Sequence, residues 1–459
     1  MFTTMEKETA KALEYKPTLA FKEQDKASVE AFCKEYRAYM DASKTERDAV
    51  RNAVAIAEKA GFAPYVPGKP LVPGQRIYFV NRVKSLMLAV IGKKPVDEGF
   101  RIIASHIDSP RLDLKPTPLY ESNGIGYFKT HYYGGIKKYQ WSAMPLSLHG
   151  VVYHKDGSHT DICFGEDEND PVLYISDLMP HIAKDQVSKP ASEALSGETL
   201  NIIGGSLPFD DEEGVKLNVL SILAEKYGME ERDFMTSELS AVPAQKSREI
   251  GFDASMIGAY GQDDKVCAYP ALKALTELGI PEHTCCVFLA DKEEIGSEGV
   301  TGLRSEAYAS FLRDLCADGN ANERKAFRNS FCISADVGGA YDPSFAEAYD
   351  ATNSCFIGKG VVVCKYTGSR GKGGCSDATA ETMSRITRIL DAGNVAWQTG
   401  EYGKVDQGGA GTVACDIAKF GIDVVDVGVP LLSMHSPVEL ASKADIYAML
   451  QCSRAFFKD

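Results

Sequence analysis

Four apolar runs in this chain each end in a side chain able to bind a metal ion or move a proton. FRIIAS (100–105) leads into His106-Ile107-Asp108, and TCCVFLA (284–290) into Asp291-Lys292-Glu293-Glu294. SFCISA (330–335) leads into Asp336, and VVDVGVPLLSM (424–434) into His435. A fifth element, Asp263-Asp264, opens a helix expected to begin near Tyr269. Imidazoles mixed with carboxylates are the ligands of a catalytic rather than a structural zinc site. One carboxylate shared by two ions leaves each with three protein ligands and an open position for a common water. Two ions about 3.5–4 Å apart can then activate that water and clamp the transition state. Of the adjacent Glu293 and Glu294, only one binds metal comfortably, because neighbouring side chains diverge. The other is free to take the proton from the water. Asp108, two residues after His106, is placed to receive the imidazole's second N–H and fix its tautomer.

Each of these residues, taken singly, has a blander explanation. An Asp or Glu past a strand is ordinarily solvated or caps a helix. Asp336 could start a turn before Val-Gly-Gly, and His435 could cap the next helix. The coincidence across four strand ends carries the weight, since open α/β sheets bind ligands there. The other six histidines (131, 149, 154, 159, 181 and 283) lie on loops or in a separate region without ligand spacing.

The elements that must position these groups follow a pattern. Residues 1–65 read as helices with apolar residues at helical spacing (SVEAFCKEYRAYM, ERDAVRNAVAIAEKAG), closed by Gly61 and a Pro/Gly-rich loop. Strand-like runs follow, IYFVN, LMLAVIG and FRIIAS. From about 118 to 248 the chain turns to short β-like runs with one clear helix, VKLNVLSILAEKYG. From about 250, strands and helices alternate again. Continuously apolar strands between helices imply an α/β fold with a mostly parallel sheet covered by helices on both faces. The expected organisation is a catalytic domain of 1–117 and 249–459, with 118–248 an inserted β-rich domain.

Length, 459 residues, suits two domains. The 44% apolar and 25% charged residues are those of a globular protein. A net charge of −14 opposes nucleic acid and anionic lipid as partners. No run of eighteen apolar residues is present, which predicts no membrane span. The N-terminal MFTTMEKETAKALEYK lacks an apolar core, which predicts no signal peptide. The twelve cysteines include no C-x-x-C pair. Free thiols acting as small hydrophobes in a reducing cytoplasm are the expectation. GSRGKGG (368–374) lacks the Ser or Thr of a phosphate-cradling loop. It reads as a basic loop with Ser376 or Asp377 capping the helix beyond it. Its Arg370 and Lys372 are the available cations for a substrate carboxylate near the metals.

These motifs in this order resemble the aspartyl aminopeptidase family of metallopeptidases. The likeness is carried by ASHIDSPRLDLKP, GQDDKVCAYPALKAL, LADKEEIGSEG, ISADVGGAYDP and VGVPLLSMHSP, and extends over nearly the whole chain. It implies a zinc-peptidase-like catalytic domain that removes a single N-terminal residue from peptides. His106 and Asp336 would hold one ion, Glu294 and His435 the other, and Asp263 would bridge them. Glu293 would be the general base, and Asp108 would orient His106. Asp263-Asp264 would be joined by a cis peptide. The inserted domain would form dimers, assembling into a dodecamer, with His181 reaching a neighbour's site to steady the oxyanion. Zinc is the expected metal, with manganese or cobalt tolerated by the same ligands. GSRGKGG and VDQGGAGTVA (405–414) depart from the acid-specific members, so the preferred first residue, Asp, Glu or another, stays open. The same centre could serve a carboxypeptidase or an amide deacylase, and a non-enzymatic shell protein is the remaining alternative.

Overall fold

The structure, a computed structural model, describes residues 7–22 and 24–459. Four strands form its centre in the order Cys285–Ala290, Arg101–His106, Phe331–Ser334, Asp423–Gly428, all mutually parallel. Alternate side chains point to opposite faces of a strand. Ile103, Val287 and Leu289 therefore enter one apolar core with the helices Lys26–Ala42, Glu46–Lys59, Gln262–Thr276 and Lys443–Phe456. Ile102, Ala104, Cys286 and Phe288 enter another with the helices Glu306–Asp318 and Glu323–Asn329. Burial on both faces explains why these strands are apolar without alternation.

The sheet extends to nine strands and is mixed, with five of its eight pairings parallel. Ser85–Val90 runs antiparallel to Cys285–Ala290, and Val361–Cys364 antiparallel to Asp423–Gly428. The parallel expectation holds at the centre and for the outermost strands Ala63–Pro64 and Trp397–Thr399, and fails where the two flanks join the centre and in the first hairpin. There Arg76–Asn81 and Ser85–Val90 form a hairpin through a three-residue turn, with Arg82 and Val83 at positive φ. So short a connection permits only antiparallel pairing.

A second, antiparallel sheet of seven strands runs from Arg111–Ser122 to Ser237–Pro243. Pairing of Ser237–Pro243 with both Arg111–Ser122 and Pro145–Tyr153 closes it around a core of its own, including Trp141, Leu146, Ile202 and Val242. A third, five-stranded sheet joins Arg248–Ile250, Met256–Ala259, Glu439–Ser442, Pro430–Leu432 and Gly338–Gly339. It was not expected from sequence, and it carries the segments on either side of His435.

Two local expectations are corrected, and one alternative reading is removed. The helix with Asp263 begins at Gln262, well before Tyr269, and contains Pro270. The helix Ala380–Ala392 is capped by Thr379, whose hydroxyl accepts the Thr382 N–H, and not by Ser376 or Asp377. His435 caps no helix, since a strand follows it. Among the described residues no helix is long and apolar enough to cross a membrane.

Candidate metal centre

His106 is the last residue of its strand and is almost fully buried. Asp336 stands two residues beyond Phe331–Ser334. Glu293 and Glu294 open a short 3-10 turn after Cys285–Ala290, preceded by Lys292 at φ 70°. Asp263 lies in the first turn of its helix with non-helical torsions, joined to Asp264 by a cis peptide. His435 is held in the left-handed region, φ 63°.

These elements bring His106, Asp263, Glu294, Asp336 and His435 together. Two sets of ligand atoms form, each within 4.8 Å: His106, Asp263 and Asp336 in one, and Asp263, Glu294 and His435 in the other. Asp263 belongs to both. One of its oxygens lies 3.0 Å from His106 Nε2, the other 3.2 Å from His435 Nε2. His106 Nε2 is also 3.9 Å from Asp336, and His435 Nε2 is 3.4 Å from Glu294. The second nitrogen of each imidazole is occupied, His106 Nδ1 by the Asp108 carbonyl at 3.1 Å and His435 Nδ1 by the Gly135 carbonyl at 2.8 Å. Both Nε2 atoms therefore face the carboxylates.

The electrostatics fit cations between these groups. Burial pushes the Glu293 carboxyl up to about 7. Burial, and then repulsion from neighbouring carboxylates, hold Glu294 and Asp336 well above the ordinary range. Burial alone would make both imidazoles less basic. Hydrogen bonds to carboxylates outweigh it, lifting His106 well above its usual value and His435 to about 10. Burial likewise opposes ionisation of Asp263, and hydrogen bonds from the two histidines overcome it. Glu294 Oε1 and Asp264 Oδ1 are buried with no hydrogen-bond partner among the described residues. A buried carboxylate oxygen without a partner is costly. Imidazole and carboxylate donors suit zinc and related divalent ions.

Around this set, the Asp108 carboxylate accepts three hydrogen bonds: from the N–H groups of Glu293 and Glu294 at 3.1 and 3.2 Å, and from Tyr133 Oη at 2.8 Å. Buried Lys265 donates to Ser109 Oγ at 2.6 Å, and that hydroxyl donates to the Asp263 carbonyl at 3.0 Å. Glu439 accepts from the N–H groups of Asp263 and His435. Sequence reasoning missed Tyr133, Lys265 and Glu439. Glu439 lies only four residues after His435, but spacing alone gives no sign that it faces backwards.

A cavity of about 890 Å³ opens beside His435, lined by Lys137, Tyr139, Phe345, Tyr349, Tyr402 and Met434 among others. Arg370 and Lys372 line a smaller adjoining pocket with Tyr366, Glu401 and Tyr402. Lys372 stands over the Tyr366 ring, 3.9 Å from its centroid and 3.2 Å from Asp377. His181 is exposed on the turn Pro180–Ile182, and none of the centre's hydrogen bonds involves it.

The family described as aminopeptidase I zinc metalloprotease (M18) matches residues 39–457. A probable M18 family aminopeptidase 1 of Clostridium acetobutylicum is 46% identical over 435 residues, covering 92% of this chain and 94% of that protein. The crystal structure of an M18 aminopeptidase from Thermotoga maritima superposes with a TM-score of 0.93 at 42% identity, over 97% of this chain and 100% of that one. The S. cerevisiae mApe1 dodecamer shares the fold, with a TM-score of 0.75 at 20% identity, over 93% of this chain and 96% of that one.

Proposed function

The chain belongs to the M18 family of zinc aminopeptidases, and on that premise we propose that it removes single residues from the free N-termini of peptides using two divalent ions. The supporting observation is Asp263, with one oxygen toward His106 and the other toward His435. His106 and Asp336 would hold one ion, Glu294 and His435 the other, and Asp263 both. Zinc is the first candidate, and manganese or cobalt would be accepted by the same donors. Bound there, the ions would activate a water and polarise the scissile carbonyl.

The chain's own residues supply the rest. Glu293 takes the proton from the attacking water and delivers it to the departing amine. Asp108 holds the turn bearing Glu293 and Glu294 through their N–H groups and keeps His106 oriented. The substrate's free ammonium group would anchor beside the carboxylates of the centre, which selects a free N-terminus over a C-terminus. His181 would act on a neighbouring subunit's site, steadying the oxygen of the carbonyl under attack. In this reading 118–248 is an inserted domain for dimerisation, supported by the separate core of the second sheet. Assembly to a dodecamer is supported by the fold shared with mApe1. A cytoplasmic location fits the many buried free thiols.

For the first residue, the aromatic lining of the His435 cavity favours an uncharged side chain. Selection of Asp or Glu is the second reading, favoured by Arg370 and Lys372 in the adjoining pocket. A panel of acidic, neutral and basic aminoacyl substrates, assayed with chelator and with added zinc or manganese, separates the two. N-acetylation of a test peptide should abolish cleavage; a carboxypeptidase or deacylase would ignore it. Glu293→Gln should bind two ions and lose activity by at least about a hundredfold. Full activity in that variant would sink the assigned role.

A further inference from the structure

We propose that Glu439 is a positioning residue of this centre, clamping the main chains of Asp263 and His435 with its two carboxylate oxygens so that their side chains are spaced before a cation arrives. The inference rests on reading those two residues as ligands.

Glu439 Oε2 accepts the Asp263 N–H at 3.0 Å, and Oε1 accepts the His435 N–H at 2.7 Å. The side chain is about 1% exposed, so water does not compete for either bond. Neither amide has an obvious alternative. The first N–H groups of a helix have no partner within the helix, and Asp263 is in that position. His435 sits in a left-handed turn between the strands Pro430–Leu432 and Glu439–Ser442. Glu439 is fixed to the same neighbourhood through its backbone as well. Its carbonyl accepts from Gln262 Nε2 at 2.6 Å, and it pairs in register with Ala259. One residue thus ties the 259–263 segment to the turn that carries His435.

The chemistry requires a carboxylate. A Glu side chain offers two acceptors, whereas Gln offers one acceptor and an NH2 group that would confront an N–H. Removing the clamp frees the main chain of the shared ligand and of one unshared ligand at once.

The test compares Glu439→Gln with Ser442→Ala. The latter removes the cap of the Lys443–Phe456 helix on the same strand without touching either amide. Zinc content after desalting and the rate of zinc release to a chelator are measured for each, at temperatures where circular dichroism shows a folded chain. Glu439→Gln should hold fewer than two ions and release zinc about tenfold faster or more. Ser442→Ala should melt earlier and keep wild-type zinc content and release. Two ions with wild-type release in Glu439→Gln would overturn the proposal. A second measurement needs no variant: hydrogen exchange on the chelator-stripped wild-type protein. Peptides covering 261–264 and 433–436 should stay as protected as the flanking strands. Rapid exchange there, slowed only by zinc, would equally overturn it. Wild-type protein binding a single ion would instead overturn the two-ion reading, while the exchange pattern still judges the clamp.

Discussion

Asp426 lies buried in the Asp423–Gly428 strand, facing Ser334 and Thr412, and burial lifts its pKa from 3.8 to about 6. The folded chain therefore binds this proton more tightly than the unfolded chain. Stability from this group is fully present below about pH 4, drains away as the pH rises to about 6, and is constant above. Asp426→Asn removes that slope. The variant should be more stable than wild type at pH 8 by roughly 2–3 kcal/mol, and nearly equal to it at pH 4. Denaturant unfolding of chelator-stripped protein at both pH values checks this. A variant less stable at pH 8 would mean that the ionised carboxylate is held by its hydroxyl neighbours. The comparison stays away from the metal ligands, whose titration is common to both proteins.

At the scale of elements, the centre depends on how closely two strands approach. A Cβ on Gly428 would stand 1.6 Å from the Asp336 carbonyl oxygen and 2.4 Å from its carbon. Those atoms are main chain and cannot swing aside. Gly428→Ala must therefore push apart the segments that pair here through the Gly338 N–H and the Val429 carbonyl. The expected cost is about 3 kcal/mol or more, together with loss of the ion that Asp336 serves, read by denaturation and zinc content. Wild-type stability would show that the strands tolerate separation. The same elements explain what could be read from sequence. The central strands announce themselves because both faces are buried, and each ends where its chemistry begins, so His106, Asp336 and the Glu293-Glu294 pair stood out. Strands such as Gly338–Gly339 and Pro430–Leu432 are too short to show a period, and the third sheet went unseen. Pro270 looks like a first-turn proline, which hid a helix that begins at Gln262. Glu439 and Tyr133 act on atoms that only folding brings near, and no spacing reveals that.

The whole molecule raises the question of how copies meet. Leu178, Met179, Ile182 and Val187 are exposed along one stretch around His181, with Val187 at 75% and Ile182 at 60%. Apolar surface gathered in this way marks an interaction site more often than a monomer's face. Under the proposed assembly this stretch packs on a second copy and carries His181 toward that copy's metal centre. Met179→Glu combined with Ile182→Glu should then shift sedimentation to smaller species, with activity falling in step. Hybrid subunits make the sharper test. A His181→Ala chain retains Glu293 but lacks the incoming histidine, and a Glu293→Gln chain retains His181 but lacks the base. Each alone should be nearly inactive. Unfolded together in equal amounts and reassembled, half the dimers are mixed, and each mixed dimer contains one complete site. Recovery should approach about a quarter of wild-type activity if the histidine acts across a two-fold interface. If His181 served its own chain, every site in the mixture would lack either the histidine or the base, and mixing would restore nothing.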